Sequence, residues 1–151
     1  GVVAGYPVVD VKTMITDGKE HPVDSSEMAF KIASRGAFRE STKNAGPVLL
    51  EPIMNLKAFV EEKNLGDVMS DLSGRRGRIS GQNPVGGGIV EIDAQVPHAE
   101  LLRYAIDLRS ITAGTGSFEV DFDHYAPVTG KIAEDVTKAA AAFRIREEEE
   151  E

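Results

Sequence analysis

Between residues 47 and 127 the apolar period switches from two to about 3.6 and back in an order that leaves few folds open. Val90, Ile92, Ala94 and Val96 alternate with Glu91, Asp93 and Gln95, and Phe118, Val120 and Phe122 alternate with Glu119 and Asp121, so each segment is a strand with one wet face and one covered face. Leu65, Val68, Met69 and Leu72 fall at i, i+3, i+4 and i+7, and Leu101, Ala105 and Leu108 repeat that stripe. Strands are predicted near residues 49–59, 78–82, 88–96 and 117–125, with helices near 65–73 and 98–111. The order β-α-β-β-α-β, with one stripe per helix, specifies an α+β fold: a four-stranded antiparallel sheet carrying two helices on a single face, the ferredoxin-like split βαβ unit.

The flanks obey a different pattern. Residues 8–15 are rich in β-branched side chains and end at the turn pair Asp17-Gly18, which predicts a strand. Asp24 followed by Glu27 has the spacing of a capping box, and Ala29, Ile32, Ala33 and Ala37, with Phe30 and Phe38, continue at helical spacing. A helix is expected over residues 25–43, weakened at Gly36 and stopped by Gly46-Pro47. Residues 133–146 read as a short Ala-rich helix.

With 41% hydrophobic and 28% charged residues, the 151-residue chain has the composition of a folded protein with a core. It has no cysteine, which excludes disulfides, thiolate metal sites and cysteine nucleophiles and is compatible with a reducing compartment. No segment approaches the roughly 20 apolar residues of a membrane span, and a cytoplasmic location is expected. The net charge is −8, but residues 147–151 are five glutamates, leaving −3 on the rest, so any nucleic-acid contact has to be a local patch. The glutamate run itself is expected to be a solvated end.

Catalytic and metal constellations are not apparent. His21, His98 and His124 lie far apart in sequence, so no metal constellation is visible. Ser25 and Ser26 stand where a helix cap is needed and lack a supporting histidine. Gly86-Gly87-Gly88 precedes a strand and lacks the Lys-Ser/Thr of a phosphate loop, so it reads as a hairpin loop or bulge. Two features are less readily absorbed by structure. Gly74-Arg75-Arg76-Gly77-Arg78 concentrates three guanidinium groups at a helix-to-strand turn, which serves equally as a solvated turn with cations at a helix carboxyl end or as a fork for phosphates. His21, with Lys19, occupies the loop before the first helix, a position that is usually merely exposed.

Several strings then resemble the elongation factor G family. Gly5-Tyr6-Pro7-Val8-Val9-Asp10-Val11 and Val23-Asp24-Ser25-Ser26-Glu27-Met28-Ala29-Phe30 are similar to the later part of its domain IV. Ala45-Gly46-Pro47-Val48-Leu49-Leu50-Glu51-Pro52-Ile53-Met54 resembles the junction of domains IV and V. Gly66-Asp67-Val68, Asp71-Leu72, Arg75-Arg76-Gly77-Arg78-Ile79, Tyr104-Ala105, Asp107-Leu108-Arg109-Ser110 and Phe122-Asp123-His124-Tyr125 are similar to domain V. The resemblance divides the chain into the end of domain IV (1–47), a ferredoxin-like domain V (48–127) and a tail helix with an acidic end (128–151), the tail expected to pack on domain IV. It implies a part in ribosomal translocation. His21 matches the domain IV tip histidine near the tRNA–mRNA module in the decoding region, with Lys19 beside it, and Arg75, Arg76 and Arg78 become candidates for contact with ribosomal RNA.

The departures set limits. Neither a phosphate loop nor a guanine-specificity motif occurs, so the chain is expected to bind no GTP and to be no enzyme by itself; GTP and Mg would belong to a GTPase domain of a longer parent. A truncated or natural fragment is expected, and the strand predicted at residues 8–15 would then offer an edge for homodimerisation. A paralogue specialised for ribosome recycling or protection, and a stand-alone ferredoxin-like module binding a small ligand, are the alternatives.

Overall fold

The computed structural model describes residues 1–150, with side chains through residue 142. The glutamate run at residues 147–151 therefore lies outside the described side chains. The chain divides into two compact units, one made of Gly1–Leu49 with Val128–Glu151 and the other of Leu50–Pro127.

The second unit has the expected α+β architecture. Its elements are β1 (Leu50–Glu61), α2 (Leu65–Gly74), β2 (Arg78–Gly86), β3 (Ile89–Pro97), α3 (Tyr104–Ile111) and β4 (Ser117–Pro127), following α1 (Glu27–Asn44) of the first unit. The sheet order is β2-β3-β1-β4, antiparallel throughout. Period-two alternation puts Leu56, Ala58, Val60, Ile92, Ala94 and Val96 on one face, where they pack with Val68, Leu72, Tyr104 and Leu108 of the helices. The opposite face carries Asn55, Lys57, Glu91, Asp93 and Gln95, paired across β1 and β3 in register. The β2–β3 hairpin turns at Gly87 and Gly88, whose φ angles of 65° and 75° suit a primed turn and explain the glycine run.

Three local expectations change. The helix expected at residues 98–111 is broken into a 3-10 turn, His98–Leu101, and α3. That break turns Tyr104 into the core, edge-on to Phe118 at 4.9 Å between ring centroids, and leaves Ala105 exposed, although the apolar stripe had pointed to Ala105. In β4 the register jumps between Ile53↔His124 and Met54↔Phe122, so Asp123 is an extra, bulged residue, and Phe122 stays 53% exposed beyond the core.

The first unit contains α1 and α4 (Gly130–Glu150), with Ala4 and Val128 its buried apolar residues among those described. Residues 8–15 form no strand. A strand is stabilised by ladder partners, and none of the described residues supplies one; its Val9, Val11, Met14 and Ile15 side chains are exposed instead. The homodimer edge inferred from that strand is therefore not a formed edge. The cap of α1 is also reassigned. Ser26 Oγ accepts from Ala29 N at 3.1 Å, whereas Asp24 is drawn back 3.3 Å from His21 Nδ1 and makes no capping box with Glu27. Among the described residues no helix is long and apolar enough to cross a membrane.

Candidate nucleic-acid interface

The loop before α1 holds His21 by its backbone. His21 N donates to Ser25 Oγ at 2.6 Å, and Ser25 N returns a bond to the His21 carbonyl at 3.1 Å. Its Nδ1 lies 3.4 Å from Val23 N and 3.3 Å from Asp24 Oδ2, accepting from the first in one tautomer and donating to the second in the other. Either way Nδ1 is turned into the loop, and Nε2 has no partner among the described residues. Lys19 is exposed and likewise unpaired. Ser25, a cap candidate from sequence, thus fixes the histidine while Ser26 caps the helix.

At the α2–β2 turn the three arginines separate into different jobs. Arg75 is only 16% exposed. Its Nε donates to Asp71 Oδ2 at 2.8 Å, its Nη2 to Asp107 Oδ2 at 2.6 Å and its Nη1 to the Glu100 carbonyl at 2.7 Å. The guanidinium also lies 5.1 Å from the Tyr104 ring centroid. Hydrogen bonding to Asp71, then to Asp107, holds its pKa above the ordinary arginine value. The fork is therefore filled by the protein, tying α2 to α3 and the 3-10 turn.

Arg76 is similarly engaged. Its Nη1 and Nη2 grip Glu51 at 2.7 and 2.9 Å, and its Nε reaches Glu100 at 3.1 Å. The bidentate bond to Glu51 is the main cause that raises its pKa. Its φ of 57° is left-handed, which costs a non-glycine residue about 1 kcal/mol. That conformation lets Gly77 N reach the Leu72 carbonyl at 2.9 Å and closes α2 with a Schellman-type bond. The carboxylates on β1 and the 3-10 turn hold the side chain of a residue whose backbone alone would prefer glycine.

Arg78 remains exposed on β2, with one long contact of 3.5 Å from Nη2 to Gln95 Oε1. It begins a polar ladder across the open sheet face: Gln95 Nε2 donates to Asn55 Oδ1 at 3.3 Å and to Asp123 Oδ2 at 3.2 Å, and Asn55 Nδ2 donates to Asp123 Oδ1 at 2.8 Å. His124 Nδ1 meets the same carboxylate at 2.5 Å. The hydrogen bond to His124, followed by that from Asn55, lowers the Asp123 pKa.

Of the three arginines in this string, Arg75 and Arg76 are held by carboxylates and Arg78 projects from the turn, and two further arginines are exposed outside the string. Arg103 and Arg109, at the two ends of α3, are exposed, and their guanidinium groups make no ion pair or hydrogen bond among the described residues. Asp71 at i−4 from Arg75 was the signal that this arginine had a helical partner. No group of three or more metal-ligating side chains occurs among the described residues.

A loop-presented histidine is thus followed along the chain by a split βαβ domain with exposed guanidinium groups on β2 and α3, and comparison with known proteins finds both parts in one family. Residues 48–136 match the family described as Elongation factor G C-terminus, and residues 1–46 match Elongation factor G, domain IV. The chain belongs to the elongation factor G family. A protein of Thermus thermophilus known from its crystal structure is 42% identical, with a TM-score of 0.82; the similarity covers 94% of this chain and 21% of that one. The chain thus spans about a fifth of the length of that relative.

Proposed function

We propose that this chain is the ribosome-binding C-terminal region of a translational GTPase that promotes movement of the tRNA–mRNA module. In this reading residues 1–47 are the end of domain IV, 48–127 domain V and 128–151 its tail, working in the cytoplasm. The observation that carries it is the succession of domain IV and C-terminus matches along one chain. GTP and Mg are assigned to the GTPase domain of such a factor, because no phosphate-loop motif occurs here. His21, through its free Nε2, and Lys19 contact RNA in the decoding region, by hydrogen bonding or stacking for the first and by charge for the second. Arg78 contacts ribosomal RNA, whereas Arg75 and Arg76 hold the turn from which it projects.

Cosedimentation of the 151-residue chain with 70S ribosomes over a salt series tests this reading. Binding should weaken as salt rises, and Arg78→Ala or Lys19→Ala should each flatten the log–log slope by about 0.7–0.9, one phosphate contact apiece. Failure to cosediment at low salt, where the full-length factor binds, would sink the reading. A recycling or protection paralogue would bind ribosomes as well but fail to support translocation when its domains replace those of a translocating factor. The small-ligand module predicts instead a rise in melting temperature with a free amino acid or nucleotide. Self-association keeps one observation in its favour, the exposed, unpaired run at residues 8–15, and light scattering at high concentration decides it.

A further inference from the structure

Asp17-Gly18 is the one place in the chain where a glycine follows an aspartate or an asparagine. It lies within residues 11–21, which form neither helix nor strand, and both residues are exposed. Gly18 N donates to Asp17 Oδ1 at 2.7 Å, so the amide nitrogen is held against the carboxyl group of the preceding side chain. Neither group has another partner among the described residues. No atom lies within 4 Å of where a Gly18 Cβ would stand, so the peptide plane and the carboxyl can both turn. The other aspartate of this loop is held differently. Asp24 Oδ2 lies 3.3 Å from His21 Nδ1, and the amide of the residue after it, Ser25 N, is bonded to the His21 carbonyl at 3.1 Å.

We propose that Asp17-Gly18 is a site of spontaneous covalent modification, at which the aspartate isomerises through a succinimide to a β-linked residue. The Gly18 nitrogen attacks Asp17 Cγ: the N–Cγ bond forms, one Cγ–O bond of the protonated carboxyl breaks, and the amide hydrogen leaves with that hydroxyl as water. Water then adds to either ring carbonyl. Breaking the N–Cγ bond restores aspartate, whereas breaking the bond from nitrogen to the main-chain carbonyl carbon leaves Gly18 joined through Cγ and frees that carbonyl as a carboxylate on Cα. Composition and charge are unchanged over the two steps, and the water lost is the water regained. The main chain gains one carbon immediately ahead of Lys19, in the loop that also carries His21. A glycine in second place favours the closure because a side chain there would crowd the attacking nitrogen, and the open, unladdered loop lets the ring form without breaking a backbone bond.

The test ages the full chain for weeks in warm, mildly acidic buffer and digests it with trypsin, which releases residues 13–19 as one peptide. The expected result is a second peak of identical mass for that peptide, preceded by a minor species lighter by one water. Electron-transfer fragmentation places the β-linkage between Asp17 and Gly18, and an isoaspartyl carboxyl methyltransferase labels the new peak with methyl groups from S-adenosylmethionine. Gly18→Val should lose most of the product and Asp17→Glu all of it, since the larger ring of a glutamyl closure forms far more slowly. Neither change should alter the melting temperature, because both positions are exposed and Gly18 lies outside the left-handed region. Absence of a β-linkage at Asp17 in the aged parent overturns the proposal. So does an equal yield in Gly18→Val, or an equal β-linkage at Asp24-Ser25, because the glycine and the loop geometry would then not select the site.

Discussion

Replacing Arg75 with alanine should damage folding far more than replacing Arg78, though both belong to one basic string. Truncation removes three donors at 2.6–2.8 Å and strands Asp71 and Asp107 near each other, opposite an unpaired Glu100 carbonyl. Hydrogen bonds to charged groups contribute about 1.5–3 kcal/mol each, and a fully buried pair broken on one side costs about 3–5 kcal/mol. Asp71 and Asp107 are 24% and 37% exposed, so water recovers part of that loss. The expected cost is about 2–4 kcal/mol after this screening. For a unit of this size each kcal/mol shifts the melting temperature by about 4–8 °C, giving a fall of about 8–32 °C. Arg75→Lys should recover less than half, because one ammonium cannot span three acceptors set out for a planar fork. Far-UV circular dichroism in urea measures the stability, and hydrogen exchange at β1 and β3 amides assigns the loss to the sheet domain. The reasoning fails if Arg75→Ala is within about 0.5 kcal/mol of Arg78→Ala, the range of an ordinary surface change.

Gly77→Ala should cost about 2–4 kcal/mol, because its Cβ would meet the Leu72 carbonyl oxygen at 2.4 Å and force the α2–β2 turn apart; urea titration reads the shift. Thr112→Val should cost about 1–3 kcal/mol while Thr112→Ser costs less, since the buried hydroxyl donates to the Leu108 carbonyl at 2.7 Å and accepts from Gly116 N at 2.9 Å; thermal melts of the two variants compare them. Tyr104→Phe should be neutral or stabilising by up to about 1 kcal/mol, because the buried phenol oxygen lacks a hydrogen-bond partner among the described residues and the ring contacts remain; a clear loss of stability would reveal a partner for it. Asp123 has a folded pKa below its unfolded value, so its contribution is complete above the ordinary carboxylate range and disappears as pH falls through the lowered value. Melting curves of the wild type and Asp123→Asn should therefore differ at pH 6 and converge in strong acid, and a constant difference would refute the assignment.

The sheet domain was legible because its residues satisfy one another. Ile92, Ala94 and Val96 have a covered face only if Leu56, Ala58 and Val60 lie beside them, and alternation records that demand in each strand separately. Residues 8–15 offered β-branched side chains rather than that alternation and have no ladder partner among the described residues, and they form no strand. Periodicity also failed at Tyr104. A two-residue break after Leu101 rephases α3 and brings the ring against Phe118 and under Arg75, with no glycine or proline inside residues 98–111 to signal it.

The arginine string shows why a candidate site is harder to read than a fold. Charge density along a sequence counts guanidinium groups but not their acceptors, and apart from Asp71, one helical turn before Arg75, the carboxylates that hold Arg75 and Arg76 come from 24 to 32 residues away: Glu51, Glu100 and Asp107. Substituting Arg75, Arg76 and Arg78 together with alanine would therefore not isolate RNA binding, because it also removes the ion pairs that hold the α2–β2 turn. Single changes at Arg78, or at the unpaired Arg103 and Arg109, leave those acceptors occupied, and only such changes separate lost contact from lost structure.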